Sequence, residues 1–209
     1  MTKNQKSQKN TFLRWIIDVD YRSAIWFYNL NSKLTPLLKI ISLFGTIQFW
    51  MILSLVFFIA GVFFNQNIEN LSILMFMGIG ASFLTITILK VIVKRKRPYQ
   101  DEKLQEFANQ TFINREPYIS KAQQSFPSGH MFYWLMEFVF FYTHLSTWAL
   151  IPFLIILPLI FTSRIHLGVH YLSDVLVGSF MGIMIGIITR LLFDLYILPL
   201  YIQWVAVLF

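Results

Sequence analysis

The sequence predicts an all-α, multi-pass transmembrane bundle of five to six spans with an N-terminal interfacial helix. Two observations predict it. Of the 209 residues, 56% are hydrophobic, 18% aromatic and only 13% charged, the balance of a chain solvated by lipid rather than by water. Five segments are also long and apolar enough to cross a bilayer once tilt and kinks are allowed. The chain has no Cys, which excludes disulfides, cysteine metal sites and thiol nucleophiles.

The elements follow in order. Residues 1–10 are basic and polar, without the apolar core and small-residue cleavage site of a signal peptide, so the first membrane helix is expected to direct insertion. Residues 11–31 mix Arg14, Asp18, Asp20 and Arg22 with Phe12, Trp15, Ile16, Ile17, Ile25, Trp26 and Phe27. That mixture reads as a helix lying in the interface. Residues 34–46 either extend the first span or form a re-entrant piece.

Spans are expected near Phe49 to Phe64, Leu71 to Val93, Met131 to Leu145, Trp148 to Thr162 and Val175 to Leu192. Pro152 and Pro158 are expected to kink the fourth, which membrane helices tolerate when neighbours take up the freed carbonyls. One long polar insertion, residues 94–128, interrupts an otherwise short-looped chain; an insertion of that length usually carries function or is disordered. The tail from Tyr196 is interfacial or a sixth span. Three regions result: 1–46 as tail and interfacial or re-entrant helix, 47–192 as the transmembrane core, and 193–209 as a C-terminal helix.

Polar residues cluster at helix ends. In KVIVKRKRP, Lys90 and Arg97 are seven residues apart, about two helical turns, and share a face if the helix runs that far. Pro98 disfavours the helical region at Arg97 and so marks a stop. Taken alone, Lys94 to Arg97 is a snorkelling cluster at the lipid headgroups. Lys90 lies deeper, where an ammonium requires a partner.

In SRIHLGVHYLSD, His170 and Asp174 are four apart. If the fifth helix starts near Val169, the Asp174 carboxylate accepts a hydrogen bond from the His170 ring and leaves its other nitrogen as a base or nucleophile. The turn Pro127-Ser128-Gly129-His130 precedes the third span and sets a second histidine at a helix start. In a five-span topology the ends of spans two and four and the starts of three and five share one membrane face. Lys90, Arg97, Ser128, Gly129, His130, Arg164, His170 and Asp174 then converge. Three cations, two histidines, a carboxylate and a Ser-Gly turn suit a phosphate.

These motifs, K-x6-R-P at Lys90, Arg97 and Pro98, P-S-G-H at residues 127–130, and S-R-x5-H-x3-D at Ser163, Arg164, His170 and Asp174, resemble the type 2 phosphatidic acid phosphatase superfamily. That superfamily comprises integral-membrane lipid phosphatases related to vanadium haloperoxidases. The resemblance covers roughly residues 45–192. It implies that His170 attacks phosphorus to form a phosphohistidine, that Asp174 orients it, and that His130 protonates the leaving oxygen and later activates water. It further implies that Lys90, Arg97, Ser128, Gly129 and Arg164 bind the phosphoryl group, and that no metal and no cofactor is needed. His166 is expected to be a hydrated loop histidine. Gly178, Gly182 and Gly186 are expected to form a close-packing stripe, and Glu137 a buried hydrogen-bonding partner.

The expected partners are a lipid phosphate and the membrane, not nucleic acid, because the net charge of +7 sits beside membrane helices. Substrates within the resemblance are phosphatidylglycerol phosphate, phosphatidic acid, undecaprenyl diphosphate and lipid A phosphates, in a bacterial cytoplasmic membrane. A five-span chain puts every one of the 17 Lys and Arg residues except Arg190 on the site's side, which favours a cytoplasmic face. Insertion of residues 22–46 as a further span reverses that. A non-catalytic binder of anionic lipid needs the cations but not the His-Asp pair. A transporter needs more ionisable groups within the spans than Lys90 and Glu137, and a vanadate-dependent peroxidase does not suit a membrane chain.

Overall fold

The computed structural model describes residues 3–116, 124–144, 147–201 and 203. The centre of the polar insertion, residues 117–123, and the end of the tail, residues 204–209, lie outside the described residues. Helix α1 runs Lys3–Tyr28, α2 Thr35–Leu43, α3 Ile47–Phe64, α4 Gln66–Val93, α5 Glu102–Ala108, α6 Gly129–His144, α7 Ile151–His166 and α8 Leu172–Leu192. The described fold is all-α. Three helical runs are long and apolar enough to cross a membrane, beginning at Ile47, Gln66 and Leu172, and α7 is a shorter apolar helix.

The apolar surface of these helices is turned outward. On α3, Met51, Ile52, Leu55, Val56, Ile59, Val62, Phe63 and Phe64 are exposed, which in water would be a liability and in lipid is the solvated face. Trp50 and Ser54 of α3 are buried, and Trp50 packs on Trp134 and Phe153 with ring centroids 5.6 and 6.0 Å apart. An aromatic seam therefore joins α3, α6 and α7 within a core that Leu71, Leu74, Met75 and Ile79 of α4 complete.

Helix α1 has two unlike faces. Asp20, Ala24 and Tyr28, spaced by four, are buried, whereas Phe12, Trp15 and Trp26 are about 60% exposed. One stripe docks on the bundle and an aromatic face is left outward. Helix α2 has nine residues, about 13 Å of helix, less than half of a hydrocarbon core of about 30 Å. A turn at residues 44–46 separates it from α3. No helix within residues 22–46 is long and apolar enough by itself to cross a membrane among the described residues.

The glycine stripe on α8 is a packing surface against α6. A Cβ on Gly182 would come 2.3 Å from the Phe132 carbonyl oxygen, and one on Gly178 would come 2.5 Å from that of Ser128. Only glycine permits this approach. Pro152 sits in the first turn of α7, where its missing N–H costs nothing, and Pro158 lies inside the helix. The chain beyond α8 does not break: Phe193–Ile197 forms a π-helical turn and helix continues to Tyr201.

Candidate functional site

The two stop signals at the mouth work by different means. Helix α4 ends at Val93, and Lys94 adopts φ 49°, its amide bonding the Lys90 carbonyl. Arg97 is then extended, at φ −79° and ψ 156°. Lys90 and Arg97 therefore do not share a helical face as the spacing predicted. Arg97 enters from a loop, buried to 1%, and its guanidinium donates to the carbonyls of Val169 and Gln124.

Helix α7 closes on Gly168 at φ 75°, whose amide bonds the Ile165 carbonyl. That is the left-handed position where glycine carries no Cβ penalty. The turn reverses the chain so that the His170 amide donates to the Arg164 carbonyl at 3.1 Å. Helix α8 starts at Leu172, not near Val169. His170 consequently precedes the helix, and its Nδ1 lies 3.7 Å from Asp174 Oδ2, too long for a hydrogen bond. The same oxygen accepts from the Tyr171 amide at 2.9 Å.

Lys90, Arg97, Gly129, His130, Arg164 and His170 line one cavity of about 570 Å³. Two of the predicted residues stand behind it. Asp174 is fully buried beside His170. Ser128 is also fully buried, and its amide donates to the Asp174 carbonyl at 3.0 Å. The Ser128 hydroxyl and two nitrogens of Arg164, Nε and Nη2, have no hydrogen-bonding partner among the described residues. The first turn of α6 adds amides at Gly129 and His130 with no acceptor inside the helix and the positive end of its dipole. The cavity is thus cationic and rich in donors.

The same cavity is also lined by Leu43, Ile47, Phe83, Ile86 and Tyr133, together with Thr46, Gln48 and Thr87. Leu43 and Phe83 are exposed on the outer surface at 47% and 58%. A single site therefore combines cations with apolar side chains, two of which reach the outer surface.

The imidazole of His170 is held well below its ordinary pKa, first by burial and then by the positive charges of Arg97, Arg164 and Lys90. Both causes disfavour the imidazolium, so the ring is neutral at pH 7 and has a lone pair to use.

Four features escaped the sequence. Glu116, from the insertion, lines the cavity; its carboxylate pairs with Arg164 Nη1 at 2.9 Å and accepts from the Ser42 hydroxyl at 3.0 Å. Gly45 lies where a Cβ would come 2.7 Å from that of His130. Within KRKR, Lys94 and Lys96 are exposed whereas Arg95 and Arg97 turn inward, so the four do not form one outward-facing cluster. His166, expected in a hydrated loop, is instead fully buried. Its ring atoms meet the Phe27 carbonyl and the Thr35 hydroxyl, each at 2.9 Å, tying α7 to α1 and α2. Only the PSGH turn's cousin, the FGT turn at Gly45, offered a local signal. Glu137 is buried with neither carboxylate oxygen partnered among the described residues, so it is not the hydrogen-bonding partner expected.

Comparisons with known proteins identify the family and the fold. A family model described as the PAP2 superfamily matches residues 71–196. Phosphatidylglycerophosphatase B of Bacillus subtilis (strain 168) is 28% identical over 141 residues, 63% of this chain and 62% of that protein. The chain therefore matches less than two thirds of that relative's length. The crystal structure of a transmembrane PAP2 type phosphatidylglycerolphosphate phosphatase from Bacillus subtilis has TM-score 0.66 at 22% identity, over 84% of each chain. That of Aquifex aeolicus LpxE has TM-score 0.61 at 20% identity, over 80% of this chain and 92% of that one. At these identities the two structures establish the shared fold.

Proposed function

The chain belongs to the PAP2 superfamily, and from that membership and the form of its cavity we propose that it is a membrane lipid phosphatase with His170 as nucleophile. The observation that carries the reading is the cavity itself. Lys90, Arg97, Arg164, His130 and His170 share one lining with Phe83, Ile86, Leu43 and Ile47. A phosphate on an acyl or prenyl chain satisfies both kinds of group at once; a soluble phosphate leaves the apolar side chains unused.

In this reading residues 47–192 are the catalytic core, crossing the membrane five times through α3, α4, α6, α7 and α8. Lys90, Arg97 and Arg164 neutralise the non-bridging oxygens, with a hydrogen bond from the Gly129 amide, while Ser128, behind the cavity rather than on it, steadies the turn through its amide bond to the Asp174 carbonyl. A His170 nitrogen attacks phosphorus, forming a P–N bond as the P–O bond to the lipid breaks. His130 gives its proton to the departing oxygen. Asp174 holds the His170 ring and offsets the positive charge it acquires. His130 then takes a proton from water, whose oxygen displaces His170 and releases inorganic phosphate.

We take phosphatidylglycerol phosphate as the first substrate, supported by the likeness in sequence and in fold to phosphatidylglycerophosphate phosphatase of Bacillus subtilis. The test is phosphate release by the detergent-purified protein from phosphatidylglycerol phosphate, phosphatidic acid, undecaprenyl diphosphate and lipid A, with EDTA present. Fastest release from phosphatidylglycerol phosphate, unchanged by the chelator, is the expected result. Preference for the diphosphate reassigns the substrate, and silence on every lipid removes the phosphatase reading in favour of an anionic-lipid binder.

The depressed basicity of His170 carries its own prediction. The acid limb of kcat/KM reports the free enzyme's base and is expected below about pH 6.5, the ordinary imidazole range. Lys90→Met removes a neighbouring cation, makes the imidazolium easier to form and should move that limb to higher pH. A wild-type limb at or above the ordinary value, or one indifferent to Lys90, contradicts the assignment.

A further inference from the structure

A chain of charged hydrogen bonds joins α1, which precedes the family match at residues 71–196, to the residues beside His170. Asp20 is 1% exposed. Its Oδ1 accepts from the Ser173 amide at 2.8 Å, and its Oδ2 accepts from the Ser173 hydroxyl and from Arg95 Nη2, both at 2.6 Å. The first amides of α8 have no acceptor within their own helix. Asp20 supplies one from α1.

Arg95 continues the chain. Its Nη1 donates to Asp174 Oδ1 and to the Ser173 hydroxyl, both at 2.7 Å, while the guanidinium carbon lies 4.1 Å above the Tyr171 ring. The planar group is gripped at both ends and on one face, so its direction is set before substrate binds. The second oxygen of Asp174 is the one beside His170, at 3.7 Å. Arg95 is shared between two carboxylates, and each one's hold on it affects the charge the other feels.

A contact that merely docked α1 would not need to end on Asp174. The apolar and aromatic contacts of Ala24, Tyr28 and Tyr21 already attach this helix, with Tyr21 stacked 6.1 Å from Tyr171. We propose that Asp20 and Arg95 are positioning residues for the His170–Asp174 pair, so that the interfacial helix α1 is a working part of the active site. The proposal rests on the phosphatase reading given above. Arg95 holds the Asp174 carboxylate in the rotamer that faces His170, and Asp20 holds Arg95. Neither residue lines the cavity, so neither touches substrate.

The experiment measures kcat and KM for phosphate release from phosphatidylglycerol phosphate in detergent micelles, for wild type, His170→Ala, Asp20→Asn and Arg95→Met, with thermal unfolding of each. Asp20→Asn and Arg95→Met are expected to lower kcat by about 10- to 100-fold, the usual cost of losing a supporting shell, with KM within about twofold because the phosphate-binding cations are untouched. The decisive measurement is a double-mutant cycle. If Asp20 acts through Asp174, Asp20→Asn should change kcat by less than about twofold in an Asp174→Asn background.

An equal loss in both backgrounds, a loss confined to KM, or wild-type kcat in a folded Asp20→Asn protein overturns the proposal. Should Asp20→Asn not fold, Ser173→Ala removes the hydroxyl that donates to Asp20 and accepts from Arg95; a severalfold fall in kcat supports the proposal and an unchanged kcat overturns it. Wild-type release that persists in His170→Ala defeats the phosphatase mechanism and this proposal together. Release that vanishes in His170→Ala but is indifferent to Asp20 and Arg95 defeats this proposal alone.

Discussion

Replacing His170 with Ala is expected to reduce lipid phosphate hydrolysis on the order of 10⁴-fold or more, the loss typical of removing a nucleophile that acts as part of a unit. No other described histidine can substitute for it. His166 is committed to the Phe27 carbonyl and the Thr35 hydroxyl, and His130 sits at the start of α6 in the role of acid. Wild-type protein quenched during turnover of ³²P-labelled lipid should carry an acid-labile label, and His170→Ala none. Label that survives in the variant would mean that another residue attacks phosphorus.

The second large effect concerns Arg164, where catalysis and stability are coupled. The Arg164–Glu116 pair has side-chain exposures of 0% and 5%. Removing one member of such a pair strands the other's charge and destabilises by about 3–5 kcal/mol. Arg164→Ala should therefore unfold at lower temperature in detergent and also lose about 10²- to 10³-fold in kcat/KM, the cost of a donor aimed at developing charge. Adding Glu116→Gln should restore most of the stability, because the stranded carboxylate is gone, yet none of the activity. A double variant that recovers turnover would show that Arg164 serves the fold and not the phosphate. Unchanged unfolding in Arg164→Ala would show that the buried pair contributes little.

Much of the site was legible because it is written in short motifs. SRIHLGVH spells a helix end, a glycine at φ 75° and a histidine delivered back to its own helix. PSGH spells a turn and a helix start. Apolar run length located a helix at each of the five expected segments, three of them long enough to cross a membrane, with starts misplaced by two to five residues: four helices begin earlier, through polar residues such as Gln66 and Ser173 that an apolar count discards, and α7 begins later, at Ile151. The expected hydrogen bond between His170 and Asp174 failed for a related reason: i, i+4 spacing implies contact only when both residues are helical, and the helix begins after His170.

The amino-acid sequence by itself determined that this is an all-α membrane chain and marked the residues proposed for phosphate chemistry, because lipid solvation selects apolar length and turn geometry selects Gly and Pro, both local properties. Only the tertiary structure decided which other charges stand beside the candidate site. Within the four-residue run KRKR two side chains face out and two face in, and nothing in their order says which. Glu116 meets Arg164 across 48 residues, Arg95 meets Asp174 across 79, and Asp20 meets Ser173 across 153. A buried charge is tolerated only beside its partner, and the partner is chosen by how helices pack, long after any local pattern in the chain has ended.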